Sequence, residues 1–234
     1  MSKNMATKNK NPIPCKIILV GESGVGKTSM ISCYLNRYQE KTELTLGAYY
    51  SNKLIVVDGY KINLEIWDTA GQEQYRSINN IFYKDAYICL MVYDITNKST
   101  FNSIKNYWYE SVKENGKDEM IFGIAGNKND LYEEEEVSEK EVEEFSNSIK
   151  ACFKLTSAKV NTSIDDIFYM LTHKFVQSKF MEELIPTYVT KSNNEEEIDK
   201  NDKIKIKKDD ASSQTNNENN NNKKDIITNS NRCC

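Results

Sequence analysis

The chain holds no apolar run of about 18 residues, so it offers no candidate for a membrane-spanning helix. It has no surplus of basic residues: 31 Lys and Arg stand against 35 Asp and Glu, for a formal net charge of −4. That balance gives no reason to expect a nucleic-acid partner, which would call for a basic stripe. Residues 1–14 are polar and lysine-bearing and lack an apolar h-region, so no secretory leader is expected. Ser2 stands where N-myristoylation needs Gly. There is no internal repeat, and no cysteine spacing matches a metal site. Cys15, Cys33, Cys89 and Cys152 lie scattered among apolar neighbours and read as small buried hydrophobes in a reducing compartment. Cys233 and Cys234, at the end of the chain, need another explanation.

What is present suits one α/β domain. The chain has 234 residues, 28% charged and 38% hydrophobic, enough for a packed core with length to spare. Composition changes near Phe180. Residues 192–231 are rich in Asn, Lys, Glu and Asp, and their isolated Ile residues bury too little surface to offset chain entropy. The expected organisation is a flexible arm over 1–13, a folded domain over 14–180 and a disordered tail over 181–234. Apolar runs at 15–20, 86–93, 120–126 and 152–155 read as buried strands. Residues 49–57 and 61–67 read as a hairpin around Asp58-Gly59. Helices are expected over 27–37, 99–115, 138–150 and 162–179, the second capped by Ser99 or Thr100 and the third by the capping box that opens at Ser138. Strands alternating with helices predict a mostly parallel sheet covered on both faces, with ligands at the carboxyl ends of the strands.

Gly21-Glu22-Ser23-Gly24-Val25-Gly26-Lys27-Thr28 fits the pattern G-x-x-x-x-G-K-[ST], and it follows a strand and opens a helix. Glycines let the backbone wrap a phosphate, and the amides and helix N-terminus turn positive charge toward it. Lys27 is placed to reach the β- and γ-phosphates, and the Thr28 hydroxyl to ligate Mg²⁺. Selection of the base falls to Asn127-Lys128-Asn129-Asp130, just after the strand at 120–126. Guanine presents N1–H and an amino group side by side, and the Asp130 carboxylate can accept from both; adenine offers no such pair. The Lys128 stem can pack over the base, and Asn127 can tie this loop to the phosphate loop. Ser157-Ala158-Lys159 follows the last strand and can supply a backbone amide to guanine O6.

Trp67-Asp68-Thr69-Ala70-Gly71-Gln72-Glu73 ends another strand. Asp68 can hold Mg²⁺ through a water, as the second acid of P-loop NTPases does. Gly71 can bring its amide to the γ-phosphate because no side chain intervenes, and Gln72 is placed to orient the attacking water. Thr45, in the loop before the second strand, is the candidate second hydroxyl ligand of Mg²⁺.

Together these segments resemble the small GTPases, and among them the Rab family, over about residues 14–180. The resemblance is carried in family order by Gly21 to Ser29, Thr45 to Tyr50, Trp67 to Glu73, Asn127 to Asp130 and Ser157 to Lys159. Asn63-Leu64-Glu65-Ile66-Trp67, Phe82-Tyr83-Lys84-Asp85-Ala86 and Met91-Val92-Tyr93-Asp94-Ile95-Thr96 are similar to family-typical stretches. The resemblance implies a P-loop small G domain with six strands, one antiparallel, flanked by helices on both faces. It implies two switch segments, roughly 38–48 and 70–84, held by the γ-phosphate and Mg²⁺ and released on hydrolysis. It implies a switch in vesicle-mediated membrane traffic that hydrolyses GTP to GDP, with Gln72, Lys27 and Thr45 at the chemistry and Ser29 and Tyr38 among the nucleotide contacts. The G domain is expected to be monomeric, and to work with an exchange factor, a GTPase-activating protein and effectors. Tyr50, Trp67 and Phe82 match effector-facing aromatics, ordinary sheet-edge packing being the other reading of them.

The ending Arg232-Cys233-Cys234 is similar to the double-cysteine ending that Rab proteins have prenylated, and is not C-a-a-X. It implies a prenyl transferase, an escort protein or GDP-dissociation inhibitor, and attachment to the cytosolic face of an intracellular membrane by two prenyl groups. Ala48 leans toward the early-endosomal branch. The departures from the family are Gln74 in place of a basic residue, Asn79 and Asn80 where proline is frequent, Leu155 in place of Glu, and a loop one residue short before Tyr38. Arg37 and Arg76 read as solvated charges rather than a resident arginine finger. Two other classes compete with this reading: a GTP-binding scaffold with little hydrolysis, and a P-loop enzyme such as a nucleotide kinase. Asn127 to Asp130 argue against the second.

Overall fold

The computed structural model of the chain describes residues 7–38, 45, 48–71 and 81–188. Its strands are β1 (Ile13–Val20), β2 (Ala48–Val57), β3 (Tyr60–Thr69), β4 (Ile88–Asp94), β5 (Ile121–Asn127) and β6 (Cys152–Leu155). Its helices are α1 (Lys27–Tyr34), α2 (Lys98–Ser103), α3 (Tyr109–Asn115), α4 (Glu139–Ser148) and α5 (Ile164–Val176), with a π-helical turn, Ile104–Trp108, joining α2 to α3. The six strands form one sheet in the order β2-β3-β1-β4-β5-β6. β2 and β3 are antiparallel; the other neighbours are parallel.

Alternation along the central strands explains the two layers of helices. Ile17 and Leu19 of β1 and Leu90 and Val92 of β4 pack with Phe168 and Leu171 of α5. Ile18 and Val20, with Cys89 and Met91, turn the other way and pack with Phe101, Ile104, Trp108 and Val142. Every residue of β4 is buried, which is why its sequence runs apolar without alternation. The β2–β3 turn places Asp58 and Gly59 at φ 50° and 82°, the two positive values that a tight hairpin of matching twist demands. The four cysteines of the domain are buried and unpaired, and burial pushes the Cys15 and Cys89 thiols up. Among the described residues no helix is long and apolar enough to cross a membrane.

Three boundaries differ from expectation. The cap of α2 is Asn97, whose extended backbone lets its side chain accept from the Ser99 amide at 3.1 Å, while the Thr100 hydroxyl is buried against Asp94 and Asn97 main chain. Ser138 caps α4 as its pattern predicts, accepting from the Glu141 amide at 3.4 Å. The chain beyond 180 does not leave the core at once: residues 179–188 are helical, Met181 is buried, and Leu184, Ile185 and Tyr188 pack on the α5 side. Their spacing of three and four is a helical stripe, hidden in the sequence between acidic residues. At the other end, residues 7–13 are not loose. Asn9 is 3% exposed; its side chain accepts from the Lys61 amide at 2.8 Å and donates to the Lys61 and Asn11 carbonyls at 2.9 and 2.8 Å. The Lys8 amide adds a bond to the Gly59 carbonyl at 2.8 Å. The far tail expected to be disordered lies outside the described residues.

Asn9→Ala removes the Asn9 bonds to the partly buried main chain of Lys61, and is expected to lower unfolding stability by about 1 kcal/mol. A urea titration of both proteins measures it; an unchanged midpoint would return 7–13 to the status of a dangling arm.

Candidate nucleotide site

The loop after β1 is shaped by what it lacks. Gly26 caps α1 at φ 97°, with no side-chain oxygen on the helix's first amides, which leaves those donors for an anion. A Cβ at Gly26 would collide with Asn127 Nδ2. Lys27 is buried, and its Nζ donates to the carbonyls of Gly21 and Glu22 at 2.8 and 2.9 Å. Burial drives its pKa down to about 8, against the opposing pull of Asp68 and Glu22. A buried ammonium whose direct hydrogen-bond acceptors here are neutral carbonyls gains from a dense anion.

Beside it three oxygens gather. Thr28 Oγ1 donates to Asp68 Oδ2 at 2.6 Å and lies 2.9 Å from Thr45 Oγ1, which is 3.4 Å from the same carboxylate oxygen. Asp68 Oδ1 is buried without a hydrogen-bond partner among the described residues. Burial pushes this carboxyl above its usual range, with the Thr28 bond and the Lys27 charge opposing. Two hydroxyls and an under-satisfied carboxylate, all hard oxygen donors, fit Mg²⁺, whose charge would reverse the Asp68 shift. Gly71 closes this end: a Cβ there would stand 2.5 Å from Lys27 Nζ and 2.6 Å from the Glu22 carbonyl oxygen, so only bare backbone approaches.

The base end is built from the loops after β5 and β6. Asn127 is 2% exposed. Its amide donates to the Val25 carbonyl at 2.8 Å, and its oxygen accepts from the Ala158 amide at 3.2 Å. Of the segment 157–159, expected to supply an amide to guanine O6, the Ala158 N–H is thus directed at Asn127 in this structure. Asp130 accepts from the Ser157 hydroxyl at 2.5 Å, which fixes one carboxylate oxygen. Lys128, at φ 67°, sends its Nζ to Asp94 Oδ2 at 2.5 Å. Asp94 is a site residue that the motif reading passed over. It also accepts from the amide and hydroxyl of Thr96, and its one sequence signal is an acid closing an apolar strand.

These pieces enclose a cavity of about 330 Å³ lined by Ser23, Gly24, Gly26, Lys27, Thr28, Ser29, Tyr38, Thr45, Gly71, Asn127, Lys128, Asp130, Leu131, Ala158 and Lys159. Its size suits a small-molecule ligand. Leu131 is an addition to the expected set. Gly21, Glu22, Val25 and Ser157 stand behind the wall, where their carbonyls or hydroxyl hold Lys27, Asn127 and Asp130. Tyr38 sits at the mouth, 38% exposed. Gln72, Cys233 and Cys234 lie outside the described residues. Away from the cavity, Tyr50, Trp67 and Phe82 form one aromatic row, with ring centroids 5.4 and 5.7 Å apart.

Sheet order, parallel strands feeding a glycine loop, and a cavity at their carboxyl ends define a P-loop small G domain. The Ras family model matches residues 16–177, and the chain belongs to that family. Within it the chain is a Rab-family small GTPase. It is 38% identical over 168 residues to the Ras-related protein Rab-26 of Bos taurus, covering 69% of this chain and 64% of that protein. It is 37% identical over 169 residues to Rab-21 of Homo sapiens, covering 72% and 75%. It is 34% identical over 171 residues to RABF2a of Arabidopsis thaliana, covering 73% and 85%. The chain therefore spans less than two thirds of the length of Rab-26.

Asp130→Asn puts a donor where guanine also donates, and is expected to lower GTP affinity at least tenfold while favouring xanthosine triphosphate, whose ring carbonyl accepts there. Competition between the two nucleotides measures this; unchanged preference for GTP would contradict Asp130 as the base selector.

Proposed function

We propose that the chain is a GTP/GDP-regulated switch in vesicle-mediated membrane traffic, and that it hydrolyses GTP to GDP and phosphate slowly by itself. The observation that carries this reading is the convergence of Lys27, Thr28, Thr45, Asp68 and Gly71 at one end of a cavity whose other end is Asp130. That geometry supports placing a triphosphate with its last phosphoryl group among charge and bare backbone, and a guanine against a fixed carboxylate.

Phosphoryl transfer to water needs positioning and neutralisation of charge rather than covalent chemistry. In this reading Lys27 stays on the carbonyls of Gly21 and Glu22 and turns its third N–H to the β- and γ-oxygens, and the amides opening α1 hold the β-phosphate. The Gly71 amide faces the γ-phosphate, and Gln72, next along the chain, orients the water. Thr28, Thr45 and Asp68 would hold Mg²⁺, which would supply further neutralisation of phosphate charge. Arg37 is exposed and Arg76 lies outside the described residues, so the reading includes no arginine from this chain at the transition state. An activating protein that supplies one is expected to accelerate turnover by about 10³–10⁵. An exchange factor would open the segment bearing Thr45. The row Tyr50, Trp67 and Phe82 supports effector binding on the β2–β3 face, and Ala48 supports a lean to the early-endosomal branch. Prenylation of Cys233 and Cys234 by a prenyl transferase, with delivery by an escort protein or GDP-dissociation inhibitor, would give two lipid chains, the number that stable anchoring needs. The tail would tether the domain to the cytosolic face of that membrane.

Single-turnover phosphate release from the Mg²⁺–GTP-loaded protein tests the hydrolysis. Gln72→Leu is expected to slow release at least tenfold with nucleotide affinity retained. No release from the native protein, even with an activating protein present, would make the chain a binding-only scaffold. Cys233→Ser with Cys234→Ser is expected to leave GTP binding intact and move the protein from the membrane pellet to the supernatant on cell fractionation. A double variant that still pellets would remove the lipid-anchor reading.

A further inference from the structure

The second residue of the phosphate loop is held by a side chain from a distant helix. Trp108 is fully buried, and its indole N–H donates to Glu22 Oε1 at 3.1 Å. Glu22 is half-buried. Its carbonyl accepts from Lys27 Nζ at 2.9 Å, and a Cβ on Gly71 would lie 2.6 Å from its carbonyl carbon and oxygen. Glu22 therefore sits between the indole on one side and, on the other, the two groups aimed at the last phosphate.

The local sequence explains how an indole arrives there. The inward positions Thr100, Ile104, Trp108 and Val112 recur every four residues. A regular helix of 3.6 residues per turn would swing that row by about 40° at each step. The π-helical turn, in which the Tyr109 amide reaches back to the Ile104 carbonyl, takes up the surplus and keeps Ile104, Trp108 and Val112 buried together. Such turns are rare and recur at functional sites.

We propose that Trp108 is a positioning residue for the nucleotide switch: it pins Glu22, and through the Glu22 main chain it sets where Lys27 and Gly71 stand as nucleotide enters and leaves. This rests on the GTP-switch reading above. Two of the three Lys27 N–H donors are on the Gly21 and Glu22 carbonyls, which leaves the third for a phosphate; the tether on the Glu22 side chain keeps that carbonyl, and with it the ammonium, in place when a ligand pulls on it. Loss of the tether lets the loop collapse or swing, and nucleotide escapes faster.

The test is a cycle of GDP dissociation rates. Trp108→Phe keeps a buried ring and removes the N–H. Dissociation is expected to quicken about fivefold, the factor that one net hydrogen bond represents. Glu22→Ala should quicken it equally, the double variant should add nothing more, and Glu22→Gln, which keeps an acceptor oxygen, should stay within about twofold of native. A native dissociation rate in Trp108→Phe, or factors that multiply in the double variant, would overturn the proposal and leave Trp108 as core packing. Should the Phe variant fail to fold, the Glu22 variants carry the test: faster GDP release in Glu22→Ala with near-native release in Glu22→Gln supports the tether, and native release in Glu22→Ala overturns it. Failure of the native protein to take up any guanine nucleotide would strike the GTP-switch reading itself, a result distinct from these.

Discussion

The Asn127 carboxamide is the joint on which the cavity depends. One planar group donates to the loop after β1, through Val25, and accepts from the loop after β6, through Ala158, while its own backbone ends β5. Three segments far apart in sequence are thereby set at fixed spacing, and a ligand that touches two of them at once finds the distance already made. The group is almost wholly shielded from water, so each bond stands in low dielectric, where a broken partner is costly. Gly26 is bound to the same arrangement: any side chain there would occupy the space of the Asn127 amide.

Around this joint the site divides the work by chemistry. At the Asp130 end one carboxylate oxygen is committed to Ser157, and in the proposed reading hydrogen-bond direction selects the base there. Charge does the work at the phosphate end, where burial has made the Lys27 ammonium uncomfortable and the Asp68 carboxylate under-solvated. Each of those two is poorly served by the protein alone, and an anion together with a divalent cation would serve both. A site poised in this way binds its complete ligand better than either part.

The phosphate loop, the base loop and the acid at the end of β3 could be read from the chain because their chemistry fixes residue type at fixed spacing. The sheet could be read because its buried strands are apolar throughout. What escaped was set by packing in three dimensions. Asp94 enters the site only through Lys128, its partner across two loops. Asn9 looks like any polar residue of a lysine-bearing arm until its three bonds to Asn11 and Lys61 are seen. The helical residues 179–188 carry their apolar stripe at a density too low to stand out from an acidic surround. The break of α2 and α3 into a π turn is a response to spacing over about three turns, and no residue at the turn itself announces it.

The single antiparallel pairing in the sheet has a mechanical meaning. Ala48 opens β2 directly opposite Thr69, which closes β3, so the segment arriving from Thr45 and the one departing through Gly71 are rooted on the same rung of one ladder. Ala48 and Thr69, far apart in the chain, are thereby neighbours in one ladder, so a displacement of either strand end would be carried to the other.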